Sequence, residues 1–367
     1  MKLANSRRGV ALLLVLVSLA FVSVISIEII FSSRVDIRIS RNARDRLQAY
    51  YLGVSAVKLG MLRLQIFKEL QNQVLSKKIP AGFVSEDMVN MVWSFQMPNF
   101  PLSQKTSSWP GSMYLRIASE GSKIPINLLD GNVHRYSSKE KADTVRKQIE
   151  VLIDSMKKDE EFEEVYPDLV SADLIDPLVD WVDEDSSKQS GGDESSDYDS
   201  SESSYSPRND RIPTLSELVM IYNWNDDLVA RLGPHFSVLN LSTEVNANYI
   251  PLERIKAMQP SLTREELMVI EKRRREQPFK SLQDLQDFVR SSPDIRNGQD
   301  FDIGDLKDSK LETAFIIEGV GQVGESRRTL KVGVRIDTKT VKSGSGDSQT
   351  QTTTLEKPRV VFAEEEL

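Results

Sequence analysis

Between Val10 and Phe31 the chain is apolar almost without interruption, with only Ser18, Ser23, Ser26 and Glu28 as polar positions. A helix rises about 1.5 Å per residue, so this run is long enough to cross a hydrocarbon layer of about 30 Å. The pattern then changes from all-round apolar to periodic. From Arg34 to Gln73, Val35, Ile39, Leu47, Tyr50, Tyr51, Val54, Val57, Leu59, Met61, Leu62, Leu64 and Ile66 recur at helical spacings, and no proline intervenes. The two stretches together predict one helix from Val10 to about Gln73, near 95 Å long. No strict heptad holds along it, so a coiled-coil stalk ranks below a helix packed on a sheet.

Pro80-Ala-Gly82 ends this region. Met91–Phe95 and Ser112–Ala118 then read as extended segments, and Glu120–Leu129 reads as a turn into another strand. Helical patterns follow over Ser137–Glu163, Val165–Trp181, Thr214–Leu232, Leu252–Met258, Arg264–Arg275 and Ser281–Arg290. Strand signals return at Phe236–Leu241 and at Ala314–Thr338, the latter broken by Gly324-Glu-Ser-Arg327 as in a hairpin. A helical block is thus predicted between early and late strands. Lys342–Thr354 reads as a flexible tail, with Arg359–Ala363 as a further edge strand.

Charge narrows the function. The net charge of -8 disfavours a general nucleic-acid binder, whose affinity comes from cations set against phosphates. With no cysteine, neither disulfides nor thiolate metal sites are possible. His134 and His235 are the only histidines and lie in different contexts, so no catalytic constellation assembles. Gly319-Val-Gly-Gln-Val-Gly324 matches a dinucleotide-binding string, but it falls between strands rather than between strand and helix. Lys2, Arg7 and Arg8 orient the N-terminal end toward the cytoplasm by the positive-inside rule, with everything after Arg34 outside.

Residues 173 to 202 hold eleven carboxylates against the single base Lys188. Such a stretch either stays solvated or is drawn together by a hard cation with oxygen ligands. Counted from Asp183 as an EF-hand loop, Asp185 is third and Glu194 twelfth, but Lys188 stands where the turn glycine belongs. By local chemistry alone, a solvated loop is favoured over a calcium site.

Several motifs, taken in order, carry a family resemblance. The leader ending Arg7-Arg8-Gly9 resembles that of type IV prepilins, which is cut after the glycine. Leu14 then stands at the fifth mature position, where most pilins and pseudopilins carry a glutamate that pairs with a neighbour's amine. Asp176-Pro-Leu-Val-Asp-Trp-Val-Asp-Glu-Asp185, then Gly191-Gly-Asp-Glu194, Tyr198 and Leu215-Ser-Glu-Leu218, are similar to the acidic loop of the minor pseudopilin K family of type II secretion systems. Asn246-Ala-Asn248 and Arg274 to Leu285, with Pro278-Phe279 and Ser281, resemble a signature shared by that family and by DNA-binding helix-hairpin-helix modules. The equivalent hairpin turn, Met258–Thr263, lacks the glycine that lets phosphate approach a helix N-terminus.

The resemblance implies an α+β fold: a pilin-like long N-terminal helix on a small antiparallel sheet, with a large helical domain inserted between strands. Its parts would be a leader (1–9), a transmembrane half-helix (10–31), the pseudopilin helix and first strands (32–130), the inserted domain (131–310), a C-terminal hairpin (311–340) and a tail (341–367). It implies a noncatalytic subunit at the pseudopilus tip, anchored by a single pass in the bacterial inner membrane with its body in the periplasm. Its partners would be pseudopilins I and J, the major pseudopilin and the prepilin peptidase. Its cofactor would be Ca²⁺, with Asp180, Asp183, Asp185, Asp193 and Glu194 as ligand candidates. The alternative is a type IV pilus or competence minor pilin whose helix-hairpin-helix module binds DNA.

The leader reading has a direct test in the intact mass of the membrane-extracted protein. Loss of Met1 to Gly9 with a methylated Val10 is the expected result, whereas a full-length mass leaves an ordinary uncleaved anchor.

Overall fold

The computed structural model describes residues 4–76, 86–95, 100–102, 110–131, 137–199, 205–309, 311–343 and 350–366. Met1–Leu3 of the leader, the Pro80–Gly82 break, His134, and residues 200–204 of the serine-rich run lie outside these, as do residues 344–349 and 367 of the tail.

The N-terminal pattern forms one uninterrupted helix, α1 (Ala4–Leu75), about 108 Å long by its rise per residue. From Leu12 to Leu47 almost every described side chain is exposed; Gln48 and Ala49 are the first buried positions. Beyond them Ala49, Leu52, Ala56, Leu64, Phe67 and Gln71 form a buried stripe at three- and four-residue spacings. That stripe lies on an antiparallel sheet built from β1 (Phe100–Leu102), β2 (Gly111–Ser119), β5 (Ala314–Val323), β6 (Ser326–Arg335) and β9 (Arg359–Glu366), in the order β1-β2-β5-β6-β9.

The contact between helix and sheet is made where side chains are missing. A Cβ added to Gly321 would lie 1.9 Å from the Ala49 carbonyl oxygen and 2.7 Å from the Gly53 nitrogen, and one on Gly319 would lie 2.6 Å from the Gly53 carbonyl oxygen. Gly319-Val-Gly321, read in the sequence as a fragment of a nucleotide string, is therefore the seat of α1. Below it the packing becomes large and apolar, with Phe67 and Trp93 edge-on to Phe315.

Met91–Phe95 is not extended. It belongs to a second helix, α2 (Glu86–Ser94), because Val89 and Trp93 are buried one turn apart. Its last carbonyls are taken by the Arg63 guanidinium, which donates to the oxygens of Val92 (2.8 Å), Trp93 (3.1 Å) and Phe95 (2.6 Å). The tail is also more regular than its composition suggests. β7 (Thr338–Ser343) and β8 (Thr350–Leu355) pair antiparallel, and the Asn72 amide holds buried Leu355 by both its N–H (2.6 Å) and its carbonyl (3.0 Å).

The chain leaves the sheet after β2 and returns at β5, its immediate antiparallel neighbour, with Ser119 opposite Phe315. Two cores fill the excursion. The first is built by β3 (Ile124–Pro125), α3 (Lys139–Met156), α4 (Glu160–Val165), α5 (Ser171–Val182), α6 (Asp226–Leu232) and β4 (Phe236–Ser237). The second gathers α7 (Leu252–Met258), α8 (Arg264–Glu276) and α9 (Leu282–Ser291) around Ile255, Ile270, Phe279, Leu285 and Phe301. Arg254 ties the two, donating to the Ser122 carbonyl (2.5 Å) and to Gln148 (3.2 Å).

Several sequence-predicted elements shrink for local reasons. Ser137–Glu163 splits into two helices, the second capped by Asp159 through the Glu161 N–H (3.0 Å). Thr214–Leu232 begins as a 3-10 turn over Leu215–Met220. It breaks at Asn223, whose φ is +65°, before Asn225 caps α6. Of Glu120–Leu129 and Phe236–Leu241 only two residues each are extended, and these two pieces pair parallel to each other.

The glycine seat makes a sharp prediction. Gly321→Ala forces a methyl into backbone and should cost about 3 kcal/mol or more, at the upper end for overpacking. Gly53→Ala should be close to neutral, because a contact at 3.3 Å is offset by the helix preference of alanine over glycine, about 1 kcal/mol. Thermal melts of the two variants of the full chain check the contrast.

Candidate metal centre

The acidic segment is anchored before it turns. α5 ends in Asp180-Trp181-Val182, all buried, so the loop leaves the first core at a fixed point. Trp181 packs on Tyr198 (5.5 Å between ring centres) and Tyr205 (6.3 Å), and its indole N–H donates to Glu217 (3.0 Å). The Tyr198 hydroxyl accepts from the Tyr222 N–H (3.2 Å), and the Tyr205 hydroxyl donates to the Met220 carbonyl (2.7 Å). The loop folds back through a short bridge between Ser187 and Asp193. Gly191 and Gly192, with φ of +90° and +106°, make the reversal.

This fold-back brings Asp183, Asp185 and Glu194 together, with one carboxylate oxygen from each within 4.8 Å of the others. Glu194 is 3% exposed, and its Oε1 and the Asp183 Oδ1 are out of solvent without a hydrogen-bond partner. Buried carboxylate oxygens facing one another without a donor are costly unless protonated or bound to a cation. Burial first, then Asp185 and Asp180, pushes the Asp183 carboxyl up to about 7. Burial, reinforced by Asp183, Asp180 and Asp185, likewise pushes Glu194 up to about 7. Three hard oxygen donors from the first, third and twelfth positions of a loop suit Ca²⁺, with carbonyl or water oxygens completing the shell.

The other two sequence-predicted ligands do not join this group. Asp180 accepts from the Gln189 N–H (2.9 Å) and orders the loop from beneath; burial raises its pKa, partly offset by that hydrogen bond. Asp193 is exposed and caps the next turn, accepting from the Ser195 hydroxyl (2.7 Å) and N–H (2.9 Å), which lower its pKa. Lys188, which seemed to spoil the loop, is turned out of the cluster and pairs with Asp197 at 2.6 Å. The aromatic group behind the loop was legible only as an anchoring Trp181 and a motif tyrosine. Tyr205 carried no signal, because it sits in a serine-rich run.

In the possible DNA element Arg273 and Arg274 are engaged within the domain, while Lys272 and Arg275 are exposed. Arg273 stacks over Phe279 and Phe288, at 5.1 and 5.7 Å from the ring centres. Buried Arg274 donates to the Ile250 carbonyl (2.7 Å), Arg275 pairs with Glu271, and Lys272 lies 3.9 Å from Glu276. The N-terminus of α8 is filled by its own Glu266. Burial would raise that carboxyl, but hydrogen bonds from Thr263, Asn297 and Arg296 outweigh it and hold the group at about 2. His235 is buried beside Arg254 and Lys123; burial and those cations lower it to about 4, so it stays neutral.

Val10 and Leu14 are exposed on α1, as is Glu28. Among the described residues α1 is the one helix long and apolar enough to cross a membrane, with a mean hydropathy of 2.7 in its most apolar window, none of it buried. The chain thus has an α+β body whose sheet carries a helical insert with a carboxylate loop, led by a helix that fits a single-pass membrane anchor. Residues 126–241 match the family described as type II secretion system (T2SS), protein K. A solved structure with the same fold is a chain of the GspK-GspI-GspJ complex from the enterotoxigenic Escherichia coli type 2 secretion system. It is 15% identical with a TM-score of 0.54, and the match covers 89% of this chain and 99% of that one. No curated protein sequence matches the chain. Over its insert the chain is thus similar to the type II secretion system protein K family, and in fold it is similar to a chain of the GspK-GspI-GspJ complex.

The metal-free loop sets a pH dependence. Asp183 and Glu194 hold protons when folded up to about pH 7 but release them near pH 4 when unfolded. The unfolded state therefore binds fewer protons between those values, and stability falls as pH rises through that window. In chelator, the melting temperature should decline from about pH 5 to pH 8. Asp183→Asn should flatten that decline; an equal slope in wild type and variant contradicts the assignment.

Proposed function

We propose that this chain is a minor pseudopilin that sits at the tip of the pseudopilus, joins pseudopilins I and J, primes assembly from the inner membrane and helps move substrates through the secretion channel. The observation that carries this reading is the two-core helical insert between the neighbouring strands β2 and β5, in a chain led by one long apolar helix. A subunit so enlarged has no room for another stacked above it. The resemblance of its fold to a chain crystallised in a complex with GspI and GspJ supports the same partners here. In this reading the leader is removed after Gly9, Val10 becomes the methylated N-terminus, and Leu14 leaves out the carboxylate that elsewhere meets a neighbour's amine. The body lies in the periplasm. The engagement of Arg273 with two rings and of Arg274 with the Ile250 carbonyl weighs against the DNA-binding alternative.

Calcium belongs to the same proposal. Asp183, Asp185 and Glu194 would hold it, Asp180 and Asp193 would shape the loop, and the ion would neutralise carboxylates that otherwise repel. Its role in this reading is structural.

Co-expression of the chain with pseudopilins I and J should yield a ternary complex on affinity purification. Recovery of I and J together without this chain overturns the assignment. Calcium added to the chelated protein should raise the melting temperature, and Asp183→Asn with Glu194→Gln should abolish the rise. Lys188→Gln separates two effects. Simple charge removal near a cation should tighten binding, whereas loss of the Lys188–Asp197 latch should weaken it; titration calorimetry should show weaker binding, by roughly tenfold for about 1.4 kcal/mol of lost pre-organisation.

A further inference from the structure

We propose that the stretch of α1 between the membrane span and the body is a binding site for anionic phospholipid headgroups, with Arg34 and Arg38 as its contacts and Arg41, on the same face, adding to their field. This rests on the membrane-anchor reading of α1. From Phe31 to Gln48 the helix runs about 25 Å with no body against it. That neck holds five arginines, Arg34, Arg38, Arg41, Arg44 and Arg46, against Asp36 and Asp45, in a chain whose net charge is -8. Arg34, Arg38 and Arg41 stand four and three residues apart and so share one face.

Four arginines of the body are occupied: Arg63 caps a helix, Arg254 ties two cores, Arg273 stacks on rings and Arg274 is buried on a carbonyl. In the neck, Arg44 pairs with Asp45 at 2.8 Å, while Arg34, Arg38, Arg41 and Arg46 are exposed and meet no protein partner among the described residues.

Depth selects the ligand. Arg34 begins about 5 Å beyond Phe31 and Arg38 about 10 Å, which is the headgroup layer when the apolar run fills the hydrocarbon. Long side chains reach back toward that layer, and a guanidinium pairs with a phosphate diester through two parallel hydrogen bonds. Arg41 and Arg46 lie within about a screening length and add field rather than contact.

Charge bias supports a ligand on that side. In the proposed topology Lys2, Arg7 and Arg8 lie at the cytoplasmic end of the span and the five arginines of the neck lie on the opposite side. Carrying those arginines outward, as the proposed topology requires, leaves them needing a counter-anion there. The phosphate layer is the nearest one.

The full-length chain, placed in nanodiscs of equimolar phosphatidylglycerol and phosphatidylcholine, can be released for native mass spectrometry. Wild type should retain phosphatidylglycerol in preference, by roughly fivefold for each arginine engaged. Arg34→Gln/Arg38→Gln/Arg41→Gln should retain the two lipids about equally, and the wild-type preference should weaken with salt. Equal retention by wild type overturns the proposal, as does an unchanged preference in the triple variant. A variant that keeps its lipid preference but no longer co-purifies pseudopilins I and J would make the neck a protein-facing surface and also overturn it. If neither protein enters phosphatidylcholine nanodiscs, the anchor reading fails and the site fails with it.

Discussion

The backbone contact between α1 and β5 is the constraint on which the rest of the structure depends. A helix normally rests on a sheet through a layer of side chains, but here Gly53 faces Gly319 and Gly321 so closely that no methyl fits at the strand positions. The approach fixes both the rotation and the height of α1. The rotation turns Ala56, Leu64 and Phe67 onto Phe315 and Ile317. The height determines how much of the helix projects from the body, and so how long the arginine-bearing neck is.

The long helix was the most legible part of the chain, because its apolar run and its later periodicity are each strong signals and nothing breaks them. The sheet hairpin and the three helices of the second core were legible for the same reason. Short elements were not. Met91–Phe95 has the composition of a strand, yet Val89 and Trp93 fall one turn apart, and a guanidinium from α1 satisfies its free carbonyls; that partner lies 29 or more residues away in sequence. The tail reads as low complexity, but Asn72 offers Leu355 a backbone-like pair of hydrogen bonds that no local pattern announces.

The acidic loop shows the same division. Position counting singled out Asp183, Asp185 and Glu194, the three carboxylates that converge, while the family resemblance added Asp180 and Asp193, which serve backbone N–H groups instead. Counting also treated Lys188 as an intruder, because spacing carries no information about which way a side chain turns. The two glycines just after it perform the reversal that a glycine at its own position would otherwise perform. The dinucleotide-like string had a correct reading too, in that glycines at alternate strand positions mark close approach of something; the something is backbone rather than phosphate.

The insert's two ends lie on neighbouring antiparallel strands, joined across one pair of residues at the sheet's rim. A connection of that kind can be any length without rethreading a strand, and doubling a flexible loop there costs only about 0.6 kcal/mol in closure entropy. The body and its cargo of helices are therefore joined in the chain at a single hairpin, while Ala314, Ile316 and Phe362 of the sheet pack against the first core. A plain helix-on-sheet ancestor could have gained the whole module through a single enlarged hairpin turn.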